Sequence, residues 1–261
     1  HGHMDHTGYL PRLVKMGFKG PIHATRPTLE IAEIILRDSA KIQEEEAKRA
    51  NQEGYSKHDP AEPLYDLKDA EQAIAHFNSM PEGDWMELFP DINIRFQYNG
   101  HIIGATFIEM DVLGKRFVFS GDIGRTEDLL MRPPKRPEKA DVLFMESTYG
   151  NRLHPEEDLE EKLKEIIHNT YQRGGTLIIP SFAVERTQTL MYIIWKLQQQ
   201  NAIPKMSLIM DSPMGANVLQ VFNDNREWHK LTPKEYTGMC QSFRIVTSFK
   251  ETWEIISDTK P

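Results

Sequence analysis

Apolar and polar positions along the chain follow two rhythms in turn. Over residues 28–53, Leu29, Ala32, Ile35 and Leu36 recur at helical spacing ahead of the run Glu44-Glu45-Glu46-Ala47-Lys48-Arg49, which predicts a long helix with one wet face. Shorter helices are predicted over 8–16 and 67–77, with a short strand over 21–24. From Ile92 the period falls to two. Segments 92–96, 105–112 and 115–120 predict an antiparallel meander, and 141–145, after a loop holding Pro133, Pro134 and Pro137, a further buried strand. Helices and strands then alternate: helix 155–172, strand 176–179, helix 184–200, strand 206–210, helix 215–222. That order predicts a parallel sheet with helices on its faces and sets a boundary near Gly150. The fold class is therefore α/β, with two domains over 1–150 and 151–261.

Composition narrows the classes of function. A chain of 261 residues with 39% hydrophobic content can bury a core without staples. One cysteine, Cys240, excludes an internal disulfide and points to a reducing, cytoplasmic setting. Apolar runs are far too short for a bilayer span, so no membrane partner is expected. A net charge of −8 argues at first against nucleic acid. The acidity is local, however: 16 of the 39 acidic residues but only 6 of the 31 basic ones lie between Pro27 and Asp91. The remainder is mildly basic and leaves a nucleic-acid partner open.

The chemistry concentrates at the start. His1, His3, Asp5 and His6 form His-x-His-x-Asp-His. In an extended segment His1 and His3 point the same way and can grip one metal, while Asp5 and His6, at a turn into a helix, can address a second. His101, flanked by Gly100 and Gly104 in a turn between strands, and Asp122, ending the strand predicted over 116–122, are candidate distant ligands. His23 reads as a satisfied strand histidine, His58 and His76 as solvent-facing, and Leu190, Met191 and Trp195 as core.

These motifs, in this order, resemble the successive metal-binding motifs of the metallo-β-lactamase fold. The stretch Glu146-Ser147-Thr148-Tyr149-Gly150-Asn151-Arg152-Leu153-His154, followed by Gly174 to Ala183 and Arg186, resembles its β-CASP branch, which includes ribonuclease J and the endonuclease of mRNA 3′-end processing. The resemblance implies a four-layer αββα sandwich over 1–150 and a partial β-CASP domain of mainly parallel sheet over 151–261. It implies two zinc ions, one held by His1, His3, His101 and Asp122 and the other by Asp5, His6 and a bridging Asp122. Activity would be hydrolysis of single-stranded RNA, endo- or 5′-exonucleolytic, by a hydroxide that the paired metals activate. Asp5 would orient the water or take its proton, Glu146 would orient a histidine beyond this sequence, and Ser181 and Arg186 would contact phosphate. None of His154, His168 and His229 sits in a matching motif, so the chain reads as an internal piece, inactive by itself. The resemblance admits a homodimer. The alternatives are a non-catalytic RNA-binding subunit of a processing complex and a small-molecule hydrolase of the same fold.

Overall fold

The computed structural model describes residues 1–153 and 158–257, which fall into two compact units, one over His1–Glu146 and one from Ser147 onward. The architecture is mixed α/β.

In the first unit the predicted helix 8–16 is α2 (Leu10–Lys15), preceded by a single-turn helix that lay outside the prediction, α1 (Met4–Thr7). They part at Gly8, where a Cβ would lie 2.6 Å from the Met4 carbonyl oxygen. Strand β1 (Ile22–Ala24) leads to the long helix α3 (Arg26–Glu53), which has proline in its first turn and ends at Gly54 with φ of 68°. The inner face of α3 buries Ile31, Ala32, Leu36 and Ala40, while Glu44, Glu45 and Glu46 are exposed as predicted. Helix α4 (Leu67–Ile74) opens with a reciprocal Asp66–Asp69 capping box, and Lys15 Nζ reaches Asp69 at 2.6 Å. The predicted helix 67–77 stops short. Phe77 packs beside the buried cluster of Leu36, Ala40, Tyr65 and Ala70, and Phe77–Ser79 forms β2, parallel to β1. Tertiary pairing here overrides a helical pattern.

A five-stranded sheet follows, in the order β3 (Trp85–Phe89), β4 (Ile92–Tyr98), β5 (Thr106–Val112), β6 (Lys115–Phe119) and β7 (Val142–Phe144). Strands β3 to β6 are antiparallel and β7 runs parallel to β6. The meander matches the sequence reading, whereas β3, a half-exposed edge strand with a bulge between Glu87 and Phe89, lay outside it. One face carries Ile94, Phe96, Ile108 and Met110 into a core. The other buries the Glu109 carboxylate, which accepts from Arg95 Nε at 2.7 Å, and both Arg95 and Arg116 lie over the Trp85 ring. Pairing compensates the buried charge. The registers Tyr98↔Thr106, Ile108↔Phe119 and Phe119↔Phe144 put the 99–105 turn, the loop after β6 and the residue after β7 at one end of the sheet.

The second unit contains α5 (Leu159–Gln172), α6 (Arg186–Gln199), β8 (Ile209–Asp211), α7 (Pro213–Asp224), α8 (Pro233–Ser242), β9 (Arg244–Val246) and α9 (Phe249–Ser257). Asp158 caps α5 through the Glu160 and Glu161 amides; the predicted start at 155, and His154, lie outside the described residues. Two strand predictions are corrected. Segment 176–179 runs without a strand partner among the described residues, with Ile178 81% exposed, and 206–210 narrows to β8. Both segments line a groove of 1660 Å³, and only Ile209 and Met210 of them pair, so among the described residues the expected larger parallel sheet of this unit is a single parallel pair, β8–β9. Ile167, Ile193, Ile194, Leu197 and Ile203 form this unit's core, and Met191 is buried as predicted. Helix α8 begins at a Thr232–Glu235 capping box. Among the described residues no helix is long and apolar enough to cross a membrane.

Candidate metal centre

His1 and His3 lie on an extended segment that ends at the N-cap of α1, where His3 has φ of −61° and ψ of 154°. Asp5 and His6 follow within α1. The segment runs hard against α3: a Cβ on Gly2 would stand 2.6 Å from Ile31 Cγ2 and 3.0 Å from the Thr28 carbonyl oxygen. The same helix start holds the His101 turn, since the Thr25 and Thr28 hydroxyls each donate to the Gly104 carbonyl at 2.7 Å. Gly104 has φ of 81° and lies 2.5 Å, at its Cβ position, from the Thr28 nitrogen, so only glycine fits there. One rigid helix end thus buttresses two separate histidine-bearing segments.

Four imidazoles and a carboxylate converge. The His1 ring lies 4.9 Å from His3, 3.8 Å from His6 and 4.7 Å from His101, centroid to centroid. Asp122 Oδ2 is 3.0 Å from His1 Nε2 and 3.5 Å from His101 Nε2, and Asp122 Oδ1 is 3.4 Å from His6 Nε2. Ligand atoms within 4.8 Å of one another form two overlapping sets, His1 with His3 and His101, and His1 with His6 and Asp122. Asp5 stands at the rim, its Oδ2 3.7 Å from His6 Nε2 and its side chain 75% exposed. His1 is shared by the two sets, while Asp5 falls outside both.

The electrostatics suit a cation. His1 Nε2 and His101 Nε2 are buried and make no hydrogen bond among the described residues, even though a carboxylate oxygen lies within 3.5 Å of each. The atoms are close enough but aimed wrongly to share a proton, and buried polar atoms in that state call for another partner. Burial, and then the charge of His101, lowers the pKa of His3; burial lowers that of His101 against the opposing pull of Asp122. Both rings therefore stay neutral further into acid than a solvated histidine, the form that ligates metal. A set of imidazole nitrogens with carboxylate oxygen matches zinc and its divalent neighbours.

Glu146, just past β7, secures the Asp122 loop: its Oε1 accepts from the Ile123 amide at 2.6 Å and its own amide donates to Ser120 Oγ at 3.0 Å. Ser181 and Arg186 lie in the second unit, both exposed, with Thr187 Oγ1 donating to Ser181 Oγ at 3.1 Å and Arg186 opening α6. Two histidine readings are corrected. His23 Nδ1 is buried without a hydrogen bond among the described residues, and His76 is half-buried with Nδ1 3.0 Å from the Gly20 carbonyl oxygen, since the end of α4 packs on the 17–20 turn. His58 is exposed. Sequence reasoning missed Thr28 and Asn99. Thr28 carries no mark beyond its place near a helix start, and Asn99-Gly100 reads only as a turn.

The Beta-Casp domain family matches residues 187–261. Ribonuclease TTHA0252 of Thermus thermophilus is 33% identical over 223 residues, covering 85% of this chain and 47% of that protein. Transcription termination factor FttA of Pyrococcus abyssi is 31% identical over 273 residues, covering 100% of the chain and 40% of the relative. Endoribonuclease ysh1 of Schizosaccharomyces pombe is 33% identical over 202 residues, covering 74% and 24%. The chain spans less than half the length of each of these relatives.

Proposed function

The chain is a relative of the β-CASP, metallo-β-lactamase-fold ribonucleases, and on that premise we propose that the protein containing it hydrolyses phosphodiester bonds in single-stranded RNA using two bound transition-metal ions, zinc by preference. The observation that carries this is the convergence of His1, His3, His6 and His101 on Asp122, with the buried Nε2 atoms of His1 and His101 unbonded. In this reading residues 1–150 form the catalytic αββα sandwich and 151–261 belong to the β-CASP domain. His1, His3, His101 and Asp122 would hold one ion, and Asp5, His6 and Asp122 the other. Bound there, such ions would supply Lewis acidity, lowering the pKa of water and offsetting charge on the phosphate oxygens. Asp5, exposed at the rim beside His6, orients the attacking water and accepts its proton. Glu146 keeps Asp122 in place through the Ile123 amide. Arg186 and Ser181 bind backbone phosphates, the guanidinium by charge and the hydroxyl by hydrogen bond. The chain's acidity is concentrated between Pro27 and Asp91 and the rest of the sequence is mildly basic, which favours an anionic substrate.

The test is cleavage of end-labelled RNA by the full-length protein before and after chelation. Cleavage stops on EDTA treatment, returns with zinc or manganese after dialysis, and leaves 5′-phosphate ends. Cleavage that persists through exhaustive chelation contradicts the proposal.

A further inference from the structure

We infer that Asn99 is a positioning residue for the metal centre, locking the turn that carries His101 to the loop that carries Asp122; this rests on the metal reading above. Asn99 is 1% exposed. Its Nδ2 donates to the Ser120 carbonyl at 3.1 Å and to the Asp122 carbonyl at 2.7 Å, while its Oδ1 accepts from the His101 amide at 3.3 Å. The Asn99 backbone joins the same link, its carbonyl accepting from the Gly124 amide at 2.9 Å and its amide donating to the Ala105 carbonyl at 3.2 Å. One side chain therefore grips the main chain of two ligands, His101 beside it and Asp122, which is 23 residues from Asn99. Both donor positions of the amide are used on carbonyl oxygens and its acceptor on an N–H, so the residue type follows from the contacts.

The geometry explains why that link matters for the metal. His101 and Asp122 stand on separate loops after β4 and β6, and a metal site tolerates little drift between its ligands. Thr25 and Thr28 hold the far end of the His101 turn at Gly104, whereas Asn99 holds its near end, one residue from Gly100, whose φ is 73°. Serine, at most a single donor on a shorter stem, cannot span both the Ser120 and Asp122 carbonyls. Aspartate keeps the size and the acceptor for the His101 amide but sets a carboxylate oxygen against two carbonyls, which breaks the links to Ser120 and Asp122 and spares that to His101.

The test measures zinc affinity by chelator competition and the visible spectrum of the cobalt-loaded protein, in the full chain, for wild type, N99D, N99S and H101A. Apo-protein melting is followed alongside. Asn99→Asp and Asn99→Ser lower zinc affinity about 10- to 100-fold, the range for partners that orient ligands, and shift the cobalt bands, with Asn99→Ser the milder. Asn99→Ser melts below wild type without metal because a buried carbonyl loses its donor, but it introduces no charge and stays folded at the assay temperature, so it carries the comparison should Asn99→Asp not fold. Wild-type affinity and an unshifted cobalt spectrum in a folded Asn99→Ser protein, with His101→Ala losing metal, overturn the positioning role while leaving the metal site intact. Absence of metal binding by the wild type overturns both.

Discussion

Replacing Asp122 by asparagine is expected to lower RNA cleavage by the full-length protein more than about 100-fold, beyond the 10- to 100-fold range for residues that merely orient ligands. Asp122 is the carboxylate common to His1, His6 and His101, with oxygens 3.0, 3.4 and 3.5 Å from their Nε2 atoms. The amide removes the negative charge facing both candidate metal positions. Its fold is expected to be unchanged, because the Asp122 main-chain carbonyl, which accepts from Asn99, is untouched. Steady-state cleavage of labelled RNA beside a thermal melt checks this. Cleavage within a few-fold of wild type would refute the two-metal account.

The second large effect is expected from a single methyl group. A Cβ on Gly124 would stand 2.0 Å from the carbonyl carbon and oxygen of Gly100 and 2.6 Å from the His101 nitrogen. These are backbone atoms, so no side chain can swing aside. The Asp122 loop and the His101 turn must separate in Gly124→Ala, at a cost on the order of 1–3 kcal/mol or more in stability. Metal affinity falls with it, because the Gly124 amide that binds the Asn99 carbonyl is displaced. Chemical denaturation of the apo protein and zinc competition measure the two effects separately. Gly124 has no positive φ, so its cost is the contact alone; Gly17→Ala and Gly114→Ala, at φ of 107° and 77° with nothing within 4 Å of the Cβ position among the described residues, show by contrast what backbone conformation alone costs.

Much of the site was legible because its signals are local. His-x-His-x-Asp-His is dense enough to mark a ligand cluster, and the period-two runs after Ile92 located the meander whose end bears His101 and Asp122. What the sequence hid depends on distant partners. Phe77 looks like the last turn of a helix until β1 pairs with it, and 176–179 looks like a strand although the described residues give it no ladder to join. Glu109 alternates correctly in β5, yet only the structure shows its carboxylate buried beneath Arg95 and Arg116. Asn99, Thr28 and Gly124 act through backbone groups 21 to 76 positions away, a relation that no spacing rule carries. The division between Glu146 and Ser147 falls close to the change of rhythm along the chain.

The most direct measurement is the metal content of the full-length protein, purified without chelators and analysed by elemental mass spectrometry beside Asp122→Asn and His101→Ala. The account predicts close to two zinc or other transition-metal equivalents per chain in the wild type and a clear loss in each variant. A wild-type protein that is folded, binds RNA and carries no transition metal, before or after incubation with zinc, would contradict it.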